Sequence, residues 1–147
     1  MASTATHADE TSAARGDGEV SLIRLYVLRA TYLLLIVGLG GMIVPDIVSH
    51  PITDRGVIAA LLGAVWTLAF LGLRYPLQML PLLMFELVWK LIWVAGYGLP
   101  QWSAGRLTPV TADDLTNTLF GVILMPLVIP WGYVWRRYVR QPPERWR

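Results

Sequence analysis

Glu86 and Lys90 stand four residues apart in the stretch PLLMFELVWKLIWVAGYGLP. A carboxylate and an amine at that spacing share one side of a helix and can pair, with the glutamate in the favourable N-terminal position. Their neighbours are almost all apolar. Ionisable side chains inside an apolar span are costly, and they mark ligand sites, proton pathways or assembly contacts. In a low dielectric the pair is far cheaper than either charge alone, so losing one partner should harm the chain more than losing both. A proton passed from Lys90 to Glu86 leaves both groups neutral. The chemistry open to the two residues is proton handling, orientation of a ligand, or a buried contact that fixes helix rotation.

Trp93 and Tyr97 continue the helical spacing from Glu86. The expected stripe is Glu86, Lys90, Trp93 and Tyr97, turned toward the interior rather than toward lipid. Tyr32, Trp66 and Thr67 fall at similar depth in other spans and could line a cavity with it. Arg29 competes as a partner for Glu86, but its long side chain is better placed to snorkel to the interface.

Four apolar segments must position these residues, over about 22–45, 56–74, 76–99 and 114–135. Each approaches or exceeds the roughly 20 residues that cross a bilayer core as helix. At about 1.5 Å per residue the third is about 36 Å long, which puts Glu86 near its middle. The connections are short, so consecutive spans should be antiparallel neighbours. With 55% hydrophobic and 15% charged residues in 147, the chain lacks the polar surface a soluble domain of this size needs. The expectation is all-α: a four-helix transmembrane bundle over 21–138, between a disordered tail at 1–20 and a basic tail at 139–147.

Basic residues orient it. Arg15, Arg24, Arg29, Arg74, Arg136, Arg137, Arg140, Arg145 and Arg147 fall on one side, and only Arg55 and Arg106 on the other. That second side carries Asp46, Asp54, Asp113 and Asp114. The positive-inside rule then places both the N- and C-termini in the cytoplasm. Tyr75, Trp102, Trp131, Tyr133 and Trp135 lie near span ends, where aromatic rings favour headgroup depth. The small residues Gly56, Ala60, Gly63, Ala64 and Thr67 should give the second span a close-packing face. Gly38, Gly40 and Gly41 permit tight approach or a bend in the first, and Pro81, Pro126 and Pro130 predict kinks in the third and fourth.

Other motifs are weaker. Asp46, His50 and Asp54 recur at four-residue intervals, but Pro45 and Pro51 argue against a helix there, so the reading is a solvated loop with no metal. Thr111 is a cap for the fourth span, whose first turn gains from Asp113 and Asp114; Asn117 can hydrogen-bond across helices. The tail WRRYVRQPPERWR is suited to anionic headgroups rather than to nucleic acid. Cysteine is absent, which excludes disulfides, thiolate nucleophiles and Cys-ligated metals. No phosphate loop, nucleophile elbow or dinucleotide fingerprint is present, and no cofactor is expected.

The stretch GLRYPLQMLPLLMFELVWKLIWVAGYGLP, with VIPWGYV after it, resembles small uncharacterised four-span integral membrane proteins of bacteria. The resemblance covers most of the membrane region and implies no activity. The small multidrug-resistance transporters share four short spans and a membrane glutamate. Here that glutamate lies in the third span, not the first, and a lysine accompanies it.

The expected protein is thus a multi-pass protein of the bacterial inner (plasma) membrane. Its leading role is non-enzymatic. It would bind an apolar small molecule or another membrane subunit through Glu86, Lys90, Trp93, Tyr97, Tyr32 and Trp66, or pair with itself as a homo-oligomer. The alternatives are a membrane-embedded enzyme acting on a lipophilic substrate, with Glu86 as catalytic acid or base and Lys90 tuning it, and a proton-coupled transporter.

Overall fold

The computed structural model describes residues 20–49 and 56–141. Almost all of the 1–20 tail and most of the 139–147 tail lie outside the described residues, as do His50, Asp54 and the side chain of Asp46. The described residues are helical, with no strand among them. The helices are α1 (Leu22–Ser49), α2 (Gly56–Arg74), α3 (Leu80–Trp93), α4 (Leu99–Ser103), α5 (Pro109–Val128) and α6 (Trp131–Val134). A π-helical turn, Val94–Gly98, joins α3 to α4, and a second, Trp135–Val139, follows α6.

Three stretches are long and apolar enough to cross a membrane: α1, α2, and the run Leu80–Ser103. A fourth candidate is α5 taken with Trp131–Val139, bent by 69° at the break between them. The long first helix corrects the expectation that Pro45 closes it, since α1 continues to Ser49. Proline at 45 removes only the bond its own N–H would have made to the Gly41 carbonyl, and its ring is exposed rather than wedged into a neighbour.

Two antiparallel pairs organise the helices. α1 packs on α2, with Tyr32 against Gly72, the Trp66 indole against Gly40, and Ile43 and Ile47 against Gly63. α3 packs on α5, with Lys90 against Gly121 and Gly98 against Leu115. Further contacts link α1 to α5 and α2 to α3. Leu28, Tyr32, Leu35, Val65, Leu83, Leu87, Met125 and Ile129 belong to one core built from both pairs.

The close-packing face of α2 differs from the expected one. Val65, Ala69 and Gly72 are buried. Gly56, Ala60, Ala64 and Thr67 are exposed, while Gly63 is half-buried against Ile43 and Ile47 of α1. The large rings decide this. A Cβ at Gly72 would stand 2.3–2.5 Å from ring atoms of Tyr32, so only glycine leaves room for that side chain.

The last span is also placed differently. Thr108, not Thr111, caps α5: its hydroxyl accepts the Thr111 N–H, and the Thr111 hydroxyl accepts the Thr108 N–H, a reciprocal box. The helix starts at Pro109, a position where proline's missing N–H costs nothing, and ends at Val128. Pro126 and Pro130 together end it. Pro130 has no N–H for the Pro126 carbonyl, and the Trp131 indole N–H donates to that carbonyl instead, at 2.8 Å. The freed acceptor therefore has a partner, as apolar surroundings require.

Candidate functional site

Glu86 and Lys90 both lie on the face of α3 turned to α5. Glu86 is 0% exposed and Lys90 is 9% exposed. The Lys90 ammonium donates to Glu86 Oε2, the one ion pair among the described residues. The helix places them by its own repeat: Leu82, Glu86 and Lys90 are all buried, one turn apart. The wall opposite is Gly121. A Cβ built there would stand 2.5 Å from Lys90 Cε and 2.7 Å from Cδ, so the lysine stem lies directly on the α5 backbone. Thr118 and Met125, buried one turn either side of Gly121, complete that wall.

Trp89 forms the other flank. The Lys90 ammonium sits 4.1 Å from its ring centroid, a cation–π contact that adds to the carboxylate in holding the charge. Two polar atoms at this spot are buried and lack a hydrogen-bond partner: Glu86 Oε1 and the Trp89 indole nitrogen. One is an acceptor and the other a donor. An unsatisfied buried polar group costs about 1–3 kcal/mol, so two of them beside one ion pair define a place where a small hydrogen-bonding group would be stabilised.

The expected stripe holds for its first two members and breaks at the next two. Trp93 is half-buried, its ring against Gly98, and Tyr97 is 59% exposed. Val94 and Gly98 are buried in their place. The cause is the π-helical turn, where the Leu99 N–H bonds the Val94 carbonyl five residues back. That wider turn keeps residues four apart on one face, so the series Glu86, Lys90, Val94, Gly98 continues inward and Tyr97 rotates out. The span is also helical only from Leu80, so Glu86 lies about 9 Å along it and Lys90 about 15 Å. Lys90 is the residue nearer the middle of the run Leu80–Ser103.

Tyr32 and Trp66 are placed in the α1–α2 pair and are already occupied. The Tyr32 hydroxyl donates to the Pro76 carbonyl at 3.3 Å, and the Trp66 indole to the Ile36 carbonyl at 2.9 Å. No hydrogen bond joins either to Glu86 or Lys90. Thr67 is exposed and bonds the Gly63 carbonyl of its own helix. The Arg29 Nε donates to the Leu73 carbonyl at 3.2 Å from an exposed position, so it is no partner of Glu86. Asn117 is exposed, and no hydrogen bond among the described residues joins it to another helix. Among the described residues no group of three metal-ligating side chains converges.

Two residues of the site were not singled out from the sequence. Trp89 lies three positions beyond Glu86, a helical neighbour that periodicity alone ranks no higher than Trp93. Gly121 carries no side chain to draw attention. Its signal is a lone small residue in an apolar run, which only the position of Lys90 makes meaningful.

Compared with protein families, with curated proteins and with solved structures, the chain matches none. The functional reading rests on the site itself.

Proposed function

We propose that the chain is a four-span bundle of the bacterial inner membrane, with both termini cytoplasmic, that binds a small lipophilic molecule at Glu86, Trp89 and Lys90. The bound molecule carries one hydroxyl-like group, which donates to Glu86 Oε1 and accepts from the Trp89 indole N–H. Its apolar remainder lies among the leucines around the pair. The observation that carries this reading is two partnerless buried atoms, Glu86 Oε1 and the Trp89 indole nitrogen, on the residues that hold one charge. A purely structural ion pair gains nothing from leaving a donor and an acceptor unmet. A partner subunit docking on the stripe is disfavoured, because the α5 helix of the same chain already covers Lys90.

The test is extraction of the purified protein with organic solvent, followed by mass spectrometry. Wild type should carry a lipophile that Trp89→Phe, which keeps the ring and deletes the N–H, loses at least tenfold. Identical extracts from the two would end the reading. Glu86 Oε1 is equally a free proton acceptor, and that favours acid–base chemistry or proton-coupled transport as the second reading. In that case Glu86→Gln folds normally and abolishes turnover or flux, while Trp89→Phe keeps both.

A further inference from the structure

The end of the molecule where α1 begins, α2 ends and α5 breaks carries a set of side chains that the Glu86 site does not use. Arg24 and Arg29 lie on the first turns of α1, and Arg74 is the last residue of α2. Arg136, Arg137 and Arg140 follow α6. Contacts bring them to one end: Arg29 bonds the Leu73 carbonyl, and Val134 is buried in the same core as Leu28, with Leu73 and Tyr133 packed against it. All six arginines are exposed.

None is neutralised by a carboxylate among the described residues, whose one ion pair is Lys90 with Glu86. The hydrogen bonds they make go to neutral acceptors. Arg29 uses the Leu73 carbonyl, Arg74 the Tyr75 hydroxyl, and Arg137 the Gln141 side-chain oxygen. Each guanidinium has five N–H donors, so most remain available.

The bend sets these charges beside apolar rings. Trp131–Val139 turns 69° away from α5, and the Trp131 indole bond to Pro126 holds the break closed. Val134 is buried in the core and fixes one side of the segment. Trp131, Trp135 and Tyr138 are exposed on it, interleaved with Arg136 and Arg137. A short segment turned away from its span, with rings for the acyl boundary and guanidinium groups for phosphate, has the composition of the membrane interface.

We infer that this end binds the headgroup of an anionic phospholipid. Arg136 and Arg137 hold the phosphate as planar two-donor forks, Arg74 completes the positive field, and Trp131 and Trp135 lie against the upper acyl chain. A free phosphate would leave the two indoles without a partner. The inference is independent of the Glu86 site.

Full-length protein in neutral detergent micelles is titrated with phosphatidylglycerol, phosphatidylcholine and inorganic phosphate, and read by tryptophan fluorescence and native mass spectrometry. Phosphatidylglycerol should bind saturably, at least tenfold more tightly than phosphatidylcholine, and more weakly as salt rises. Arg136→Gln with Arg137→Gln should weaken it at least tenfold. Arg106→Gln, at the opposite end, should leave it unchanged. If the double variant loses its helical circular dichroism, Arg74→Gln alone replaces it and should weaken binding at least threefold. Equal affinity for the two lipids, equal affinity for inorganic phosphate, or equal weakening by Arg106→Gln would each overturn the inference.

Discussion

The stem of Lys90 rests on the bare backbone of Gly121, close enough that a methyl group there would meet Cε at 2.5 Å and Cδ at 2.7 Å. The ion pair on α3 and the missing side chain on α5 are therefore one device. The ammonium is held by Glu86, so the stem cannot swing aside without breaking that bond. Gly121→Ala should cost about 1–3 kcal/mol by overpacking, read as a lower unfolding midpoint in detergent. The same change made together with Glu86→Leu and Lys90→Leu should cost less, because leucine has no Cε and no ion pair pinning its Cδ atoms in place.

Glycines along the chain should divide sharply. Gly72→Ala drives a methyl into the Tyr32 ring, which is fully buried, flat and tied to the Pro76 carbonyl. A rigid ring yields less than a lysine stem, so this change should be costlier than Gly121→Ala, at about 3 kcal/mol or more. Gly38 and Gly41 have nothing within 4 Å of a new Cβ. Alanine there should be neutral or should stabilise α1 by about 0.5–1 kcal/mol through helix propensity. Thermal unfolding of the four variants side by side checks the order.

Much of this was legible in the residues. The hydropathy runs locate the three stretches long and apolar enough to cross a membrane and the bent fourth candidate, because about 20 apolar residues as helix match a bilayer core. The Glu86–Lys90 pair follows from two charges at one helical spacing in an apolar run. What the sequence hides are departures from regular helix. VAGYG carries no marker that its turn closes through i→i+5 bonds, yet that single wide turn sends Tyr97 outward. The small residues of α2 suggest one packing face, while the bulk of Tyr32 and Trp66 selects another. Spacing along a helix ranks faces, but the partner's large side chains choose among them.

The break after α5 should depend on Pro130 and Trp131 jointly. Pro130→Ala supplies the N–H that the Pro126 carbonyl lacks, and the segment should straighten. Because the chain contains no cysteine, spin labels can be attached at introduced cysteines replacing the exposed residues Ile123 and Val139. Their separation should lengthen on Pro130→Ala. Trp131→Phe alone should destabilise by about 1 kcal/mol through the lost indole bond, and by nothing in the Pro130→Ala background.

The most direct measurement is a double-mutant cycle on Glu86 and Lys90, with reversible denaturant unfolding followed by tryptophan fluorescence. Glu86→Leu and Lys90→Leu each strand a buried charge and should each lose about 3–5 kcal/mol. The double variant should recover to within about 1 kcal/mol of wild type, since apolar residues of similar size fill the same space. Single losses of under about 1 kcal/mol that simply add, as for an exposed ion pair, would contradict a charge pair sequestered between α3 and α5.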